Sequence, residues 1–541
     1  MIFKNNKKII ELEKLIGKQN ELFYGSYKKN HKEKFKTFSG EVFKTLTEYL
    51  NNIHNLSLSQ TSWKIIIGPW FYSFLNIYFY YNFCFNKKKT LNKKIKNIIL
   101  KLKLKNKEYI PNSFSDYIQF MYSRDSIIQF IYCMLSENFF IPKSNKIKLK
   151  SNSFIKTFFF KFFFFIGGSK VILSRPRFNK IDQVKIYIFS KLKILSIPSF
   201  ENMFKVIKSN EKSNIRKLII KNLNKKTKNF NIIRILFYYI PTSYLENLKE
   251  YEKMGERLIP NSKVIYSDST YISDEIFKIQ LAKSKSKKFI GQHGGNFRIY
   301  GKNQINVHER DVADKYIVWG KKLMKNEDKL PSPKIDLFYQ THKNKIKNHK
   351  TYDFCYVLPP IKNSNFRYLF HNSSNDLLEV KERINLFNNT KKNFIIKSYG
   401  EEKRYSDQIH SDNLFKLFSI NRSKFSNNKE ILFQSKFLIF DYMSTMIFEI
   451  INLKIPFILI LNVKKHNFTN EGKKLINYIK KMNILFKNHK QALKFINSDI
   501  DINSWWYKKK NQQILKKISN DFCSLEKNCL NTWVDFFEKN L

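Results

Sequence analysis

The sequence predicts an α/β protein with two parallel-sheet domains behind a largely helical N-terminal region. Three observations lead there. Short apolar runs separated by polar, helix-patterned stretches recur between about residues 180 and 320, and again from residue 352. A polar, Lys-rich segment carrying Pro331 and Pro333 divides the two series. The 541 residues are 43% hydrophobic and 16% aromatic, enough for several cores and too much for a disordered chain or a small disulfide-stapled scaffold.

In chain order, residues 1–150 carry apolar positions at mixed three- and four-residue spacings and read as mostly helical. Within residues 151–330, buried strands are expected at Val184–Phe189, Ile233–Pro241, Lys263–Ser267, Lys287–Gln292 and Lys315–Gly320. A helix pattern with Ile272, Ile276, Ile279 and Leu281 lies between the third and fourth, which makes a βαβ unit and a parallel sheet. The polar stretch from about Lys321 to Lys350 reads as linker, and the domain division sets the linker at 331–350. Residues 351–503 repeat the pattern, with strands at Tyr352–Pro360, Asn393–Gly400, Lys436–Tyr442 and Pro456–Asn462, and a fifth at Asn483–Phe486. The chain therefore predicts two Rossmann-like domains, whose ligands bind at the carboxyl ends of the strands. Residues 504–541 read as one long helix. The run Phe154–Gly168 is too short to span a bilayer and is interrupted by Lys156 and Lys161; it reads as a buried strand or helix, with interfacial membrane contact as the alternative. Trp63, Trp70, Trp505 and Trp506 read as core or interdomain packing residues, with sugar stacking as the alternative.

Lys and Arg total 99 against 44 Asp and Glu, a formal charge of +55. The excess is nearly all Lys, spread end to end with abundant Asn, Ile, Phe and Tyr, as an A/T-rich coding sequence would give, and Arg is scarce. No specific nucleic-acid partner is expected on that ground, while peripheral contact with an anionic membrane surface stays open. Five cysteines, Cys84, Cys133, Cys355, Cys523 and Cys529, include no CxxC pair, so reduced thiols and no metal site are expected. The N-terminal residues lack the continuous apolar core of a signal peptide, and a cytoplasmic location is expected.

Two stretches carry chemistry. The first is Gly291–Gly301, GQHGGNFRIYG, directly after a strand. Gly291, Gly294 and Gly295 allow backbone N–H groups to approach a ligand closely. Gln292 and His293 stand at the strand end, where a histidine serves as base, acid or anion donor, and Glu309 and Asp314 downstream are alternative carboxylates. The competing reading is a plain glycine turn with a hydrogen-bonded histidine. The second stretch is Phe437–Ile460. A strand ends at Asp441, and Ser444 or Thr445 caps a helix running to about Leu453. A helix start at a strand's carboxyl end is a phosphate site by its free N–H groups and dipole. Glu449, set among Ile447, Phe448, Ile450 and Ile451, is placed to meet ribose hydroxyls; a capped helix with an idle carboxylate is the alternative.

Together with Ser62–Phe74, His308–Gly320 and Asp501–Phe522, these stretches resemble, in order and over most of the chain, a family of transferases encoded in bacterial O-antigen and surface-polysaccharide loci. Its later half is similar to GT-B glycosyltransferases. The resemblance implies a GT-B arrangement, with an acceptor-side domain at 151–330, a donor-binding domain at 351–503, and a C-terminal helix crossing back. It implies a nucleotide-sugar donor, a glycan or lipid-linked glycan acceptor, and neither a metal nor a separate cofactor. By the same likeness, Ser444 and Thr445 match the donor-phosphate position and Glu449 the ribose-binding acid, and Lys397 stands where an arginine is usual. The expected substrate-binding set is Gln292, Gly294, Gly295, Lys397, Asp441, Ser444, Thr445 and Glu449, with His293 as catalytic base or acid. A polyol-phosphate transferase, a basic nucleic-acid or membrane-surface binding protein, and an inactive copy are the rival expectations.

Overall fold

A computed structural model describes residues 29–87, 93, 97–98, 110–122, 143–149, 162–200, 204–212, 214–268, 270–300, 304–345, 350–358, 377–397, 422–426, 428–466, 468–498 and 501–541. The chain is a mixed α/β protein with two parallel sheets. It divides into two compact units, one of residues 1–174, 197–288 and 364–369, the other of residues 175–196, 289–363 and 370–541.

In the first unit, the helices Lys29–His54 and Gln60–Lys87 meet through Phe43, whose ring lies 5.0 Å from Phe71 and 6.0 Å from Tyr72. Trp63 is buried and donates to Asn51 Oδ1 at 2.9 Å, while Trp70 is buried near Phe74, so both tryptophans are packing residues. Ser62 Oγ donates to the Ala282 carbonyl at 2.9 Å and ties this helical pair to the helix Glu275–Lys283. An antiparallel ribbon pairs β1 (Lys143–Leu149) with β4 (Phe204–Lys212). β2 (Val171–Ser174) pairs in parallel with β5 (Val264–Ser267), and every residue of both is buried; β3 (Ile194–Ile197) is a short strand between β2 and β4 in the chain.

Two buried charge clusters brace this unit. Arg216, fully buried, grips Glu246 with two bonds of 2.6 and 2.8 Å and donates to the carbonyls of Phe237, Tyr238 and Ile240. Glu275 pairs with Lys278 at 2.8 Å and accepts from the Phe114 amide and the Tyr244 hydroxyl. Burial pushes the Glu275 carboxyl above its usual range, against the pull of Lys278.

The second unit carries a six-stranded parallel sheet in the order β11-β10-β9-β12-β13-β14, formed by Phe425–Ser426, Phe394–Lys397, Tyr352–Val357, Ser435–Phe440, Phe457–Ile460 and Leu485–Phe486. Ile439 stands opposite Tyr356 on one side and Ile458 on the other. Parallel pairing throughout brings the carboxyl ends of these strands to one edge. β6 (Lys287–Gly291), β7 (Lys315–Val318) and β8 (Glu327–Lys329) also run parallel, with Ile290 paired to Tyr316 and Ile317 to Asp328.

Several expectations are corrected. Val184–Phe189 lies in a helix, Lys180–Phe189, because Asn179 caps it by accepting from the Asp182 amide and only Ile186 is buried. Ile233–Pro241 belongs mainly to the helix Phe230–Tyr239, which buries Ile232, Ile233, Ile235, Leu236, Phe237 and Tyr239; a continuous apolar run suits helix as well as strand. The C-terminal segment is three helices, Ile502–Trp506, Lys509–Phe522 and Cys529–Glu538, and not one. Of Phe154–Gly168, residues 154–161 lie outside the described residues; residues 162–167 are helical, with Phe164 buried but Phe162, Phe163, Phe165 and Ile166 exposed. The N-terminal residues, Cys133 and the ends of the Tyr352 and Asn393 strand predictions also lie outside the described residues. The polar segment read as linker contains β8 and the helix Pro333–His342, whose Ile335 and Phe338 are buried. Cys355, Cys523 and Cys529 are buried free thiols.

The Arg216 cluster gives a stability prediction. Arg216→Ala leaves Glu246 and three carbonyls without their donor and should cost about 3–5 kcal/mol, measured by urea denaturation. A cost below about 1 kcal/mol would mean that the cluster is solvated rather than buried.

Candidate functional site

The loop after β6 and the helix start after β12 meet directly. β12 ends in Phe440, and Asp441–Met443 turn the chain into the helix Thr445–Asn452. Ser444 is the N-cap, and its Oγ accepts from the Met446 amide at 3.2 Å. Thr445 Oγ1 instead accepts the Gly295 amide at 3.2 Å, leaving its own hydroxyl proton to donate. Gly295 approaches so closely that a Cβ there would collide with the Phe448 ring, so the position requires glycine. The rest of the loop is held beyond this contact. Thr469 donates its hydroxyl to the Arg298 carbonyl at 2.6 Å and its amide to the Ile299 carbonyl at 2.9 Å. Tyr300 stacks on Phe468 at 5.4 Å.

Gln292 fixes the start of the loop. Its Nε2 donates to the Gly294 carbonyl at 3.0 Å, and its Oε1 accepts the Trp319 amide at 3.3 Å. The side chain is buried, so it shapes the turn. His293 is half-buried, and Arg177 Nη2 stands 3.4 Å from its Nδ1. With Nδ1 accepting from the guanidinium, a neutral ring carries its proton on Nε2. Glu309 lies in the helix Gln304–Val312, buried, and accepts the Tyr316 hydroxyl at 3.2 Å. Asp314 is exposed just before β7. The structure thus bonds Gly295, in the loop that carries Gln292, His293 and Gly294, to Thr445 next to the Ser444 cap, and places Glu309 in the packed interior against Tyr316.

On the side of the six-stranded sheet, Asp441 is buried and accepts the Tyr356 hydroxyl at 2.5 Å and Arg383 Nη1 at 2.7 Å, both through Oδ2. Burial would raise its carboxyl. The positive and hydrogen-bonding groups of His489, Arg383 and Tyr356 outweigh that and hold it below the ordinary range. His489 Nε2 stands 3.9 Å from Asp441 Oδ2. Glu449 is buried, and its Oε1 pairs at 2.8 Å with Lys334, a half-exposed residue in the first turn of the helix Pro333–His342. Lys397 ends β10, buried; desolvation pulls its ammonium below the usual value, with Lys429 adding to the effect against Cys355. Trp506 is buried and donates to the Lys454 carbonyl at 2.8 Å, and Trp505 packs on it. The C-terminal segment reaches the β7 end, where Ser524 Oγ donates to the Trp319 carbonyl at 3.0 Å.

No sequence motif links Arg177, Arg383 or Lys334 to the site. Arg177 is more than one hundred residues from His293 in the chain, and only the fold joins them; its signal was an arginine in a lysine-dominated composition. Among the described residues, no group of three or more His, Cys, Asp or Glu side chains is placed to hold a metal ion.

Residues 25–537 match the family described as LIC12162 family transferase. The chain belongs to that family. No curated protein matches it. Solved structures similar to part of this family member include MurG of Acinetobacter baumannii, at 9% identity and TM-score 0.33, over 68% of this chain and 99% of that one. The spinosyn forosaminyltransferase SpnP is similar at 7% identity and TM-score 0.34, over 69% and 99% of the two chains. An α,α-trehalose-phosphate synthase (UDP-forming) from Burkholderia vietnamiensis is similar at 10% identity and TM-score 0.34, over 68% and 98%.

Two outcomes follow for this transferase. Gly295→Ala forces the Phe448 ring to move and should cost about 1–3 kcal/mol while loosening the loop, read by thermal melting and by proteolysis of residues 291–300. Arg383→Ala strips a buried carboxylate of its charged partner and should cost about 3–5 kcal/mol. Because Asp441 is held below its unfolded pKa of about 3.9, its contribution is present above that pH and lost as pH falls through the folded value. Removing Arg383 raises the folded value, so the acid limb of stability should move to higher pH in the variant, seen in melts across the acid range.

Proposed function

We propose that this LIC12162-family transferase is a GT-B type glycosyltransferase, moving a sugar from a nucleotide-activated donor to a cell-surface glycan or lipid-linked glycan acceptor of the O-antigen or capsule kind. One observation carries the reading: the glycine loop bearing His293 is bonded to the first residue of the helix that follows β12, through Gly295 and Thr445. A candidate proton-transfer group and a helix start suited to phosphate are therefore neighbours, as displacement of a phosphate leaving group at the anomeric carbon requires.

In this reading, the Thr445 hydroxyl and the N–H groups of the first helical turn take the donor phosphate, and Lys397 adds charge. Glu449, held by Lys334, accepts the ribose hydroxyls. Asp441 serves the donor indirectly, by fixing the turn through Tyr356 and Arg383. His293 exchanges the proton of the acceptor hydroxyl. A peripheral place at the cytoplasmic face of a membrane belongs to the same reading. Ile181, Val184 and Ile188, exposed on one face of the helix Lys180–Phe189, support it, with Lys180 and Lys185 exposed beside them. No helix among the described residues is long and apolar enough to cross a membrane.

Calorimetric titration with nucleoside diphosphates tests the donor site. Ser444→Ala with Thr445→Ala should weaken binding about 10-fold or more, as expected from losing hydrogen bonds to a charged group. Glu449→Gln should weaken the nucleoside diphosphate but not inorganic pyrophosphate. Unchanged binding in the Ser444/Thr445 variant would remove the donor site from this turn.

A further inference from the structure

Only 12 of the 99 basic residues in this chain are arginine. Two of the twelve, Arg175 and Arg177, flank a single proline in the loop that follows β2. Both have left-handed backbone, with φ of +48° and +64°. That region is unfavourable for any residue with a Cβ and natural for glycine. A composition dominated by lysine and a backbone suited to glycine thus both act against arginine here. Strain of this kind concentrates where a side chain is needed for function.

The loop is held in this shape. Pro176 is buried. Phe178, also buried, meets Trp533 edge-on at 5.6 Å, and Trp533 is fixed by donating to the Pro331 carbonyl at 3.0 Å. Asn179 then caps the helix Lys180–Phe189 through the Asp182 amide at 2.8 Å. Between these anchors Arg177 projects to His293, with Nη2 at 3.4 Å from Nδ1. One permanently charged planar fork beside a candidate proton-transfer group, with a second arginine two residues earlier in the same loop, suits one ligand chemistry above others. A guanidinium grips phosphate oxygens in pairs, which lysine cannot do.

We propose that Arg175 and Arg177 form a phosphate clamp that holds a phosphate of the substrate beside the His293 ring. The clamp deepens the glycosyltransferase reading and rests on it for the identity of His293. The phosphate belongs either to the diphosphate of the donor or to a phosphorylated acceptor, and both share the chemistry that the two guanidinium groups read.

The test titrates the full-length protein with inorganic pyrophosphate, uridine diphosphate and a short-chain isoprenyl diphosphate. Arg175→Ala with Arg177→Ala should weaken at least one probe by about 10- to 100-fold and flatten the salt dependence of its binding. The double lysine variant should recover only part of the loss, because it restores charge without the fork. Arg177→Gly should lose binding as Arg177→Ala does while melting no lower than wild type, since glycine relieves the left-handed backbone. A loss confined to uridine diphosphate assigns the clamp to the donor, and one confined to the isoprenyl diphosphate assigns it to the acceptor; both support it. The clamp is overturned if the wild type binds none of the probes, or if a folded double alanine variant binds all three as wild type does. If Ser444→Ala with Thr445→Ala abolishes uridine diphosphate binding and the arginine variants change nothing, the donor site stands and the clamp falls. The reverse result keeps the clamp and removes that donor site.

Discussion

The contact between Gly295 and the start of the Thr445–Asn452 helix is the constraint on which the candidate site depends. One amide donates to one hydroxyl at 3.2 Å, and the absence of a Cβ lets the backbone lie against the Phe448 ring. A single neutral hydrogen bond contributes only about 1 kcal/mol, so the bond alone does not hold the loop. Thr469, Tyr300 and Gln292 each fix another part of it. The result is a short loop with several of its backbone polar groups engaged and its histidine half-buried.

Charge is arranged around this contact on buried supports. Asp441 is committed to Tyr356 and Arg383, and Glu449 to Lys334. Neither carboxylate stands alone in the interior, where an unpaired charge would be costly. Both belong to the segment that forms the helix start, so their partners fix the position of the turn as well as its electrostatics. Lys397 is buried at the end of β10, and desolvation pulls its ammonium below the usual value, a cost in folding.

Much of the second sheet was legible because its signals are local. Phe437–Phe440 is apolar, ends at a carboxylate, and is followed by a serine that can cap; the structure has that strand, that turn and that cap. The errors were also physical. Val184, Ile186 and Ile188 alternate as a strand would, yet Asn179 and Asp182 close a helix N-terminus, and local capping outweighed the alternation. The segment Phe230–Tyr239 reads as strand because Ile235–Pro241 is a continuous apolar run, yet Asn231 and Arg234, three residues apart on the less buried face, give it a helical period. At the C-terminus, the break after Phe522 was hidden in a polar stretch without proline or glycine. In the site, single residues with a motif around them were visible, whereas pairs made by the fold, such as Arg177 with His293 and Arg383 with Asp441, were not.

Hydrogen–deuterium exchange with and without a nucleoside diphosphate tests the central claim most directly, because it reads both halves of the site at once. The peptides covering residues 291–300 and 441–449 should gain protection together, at the same ligand concentration. Protection of one without the other, or protection confined to other parts of the chain, would contradict a ligand site built on their contact.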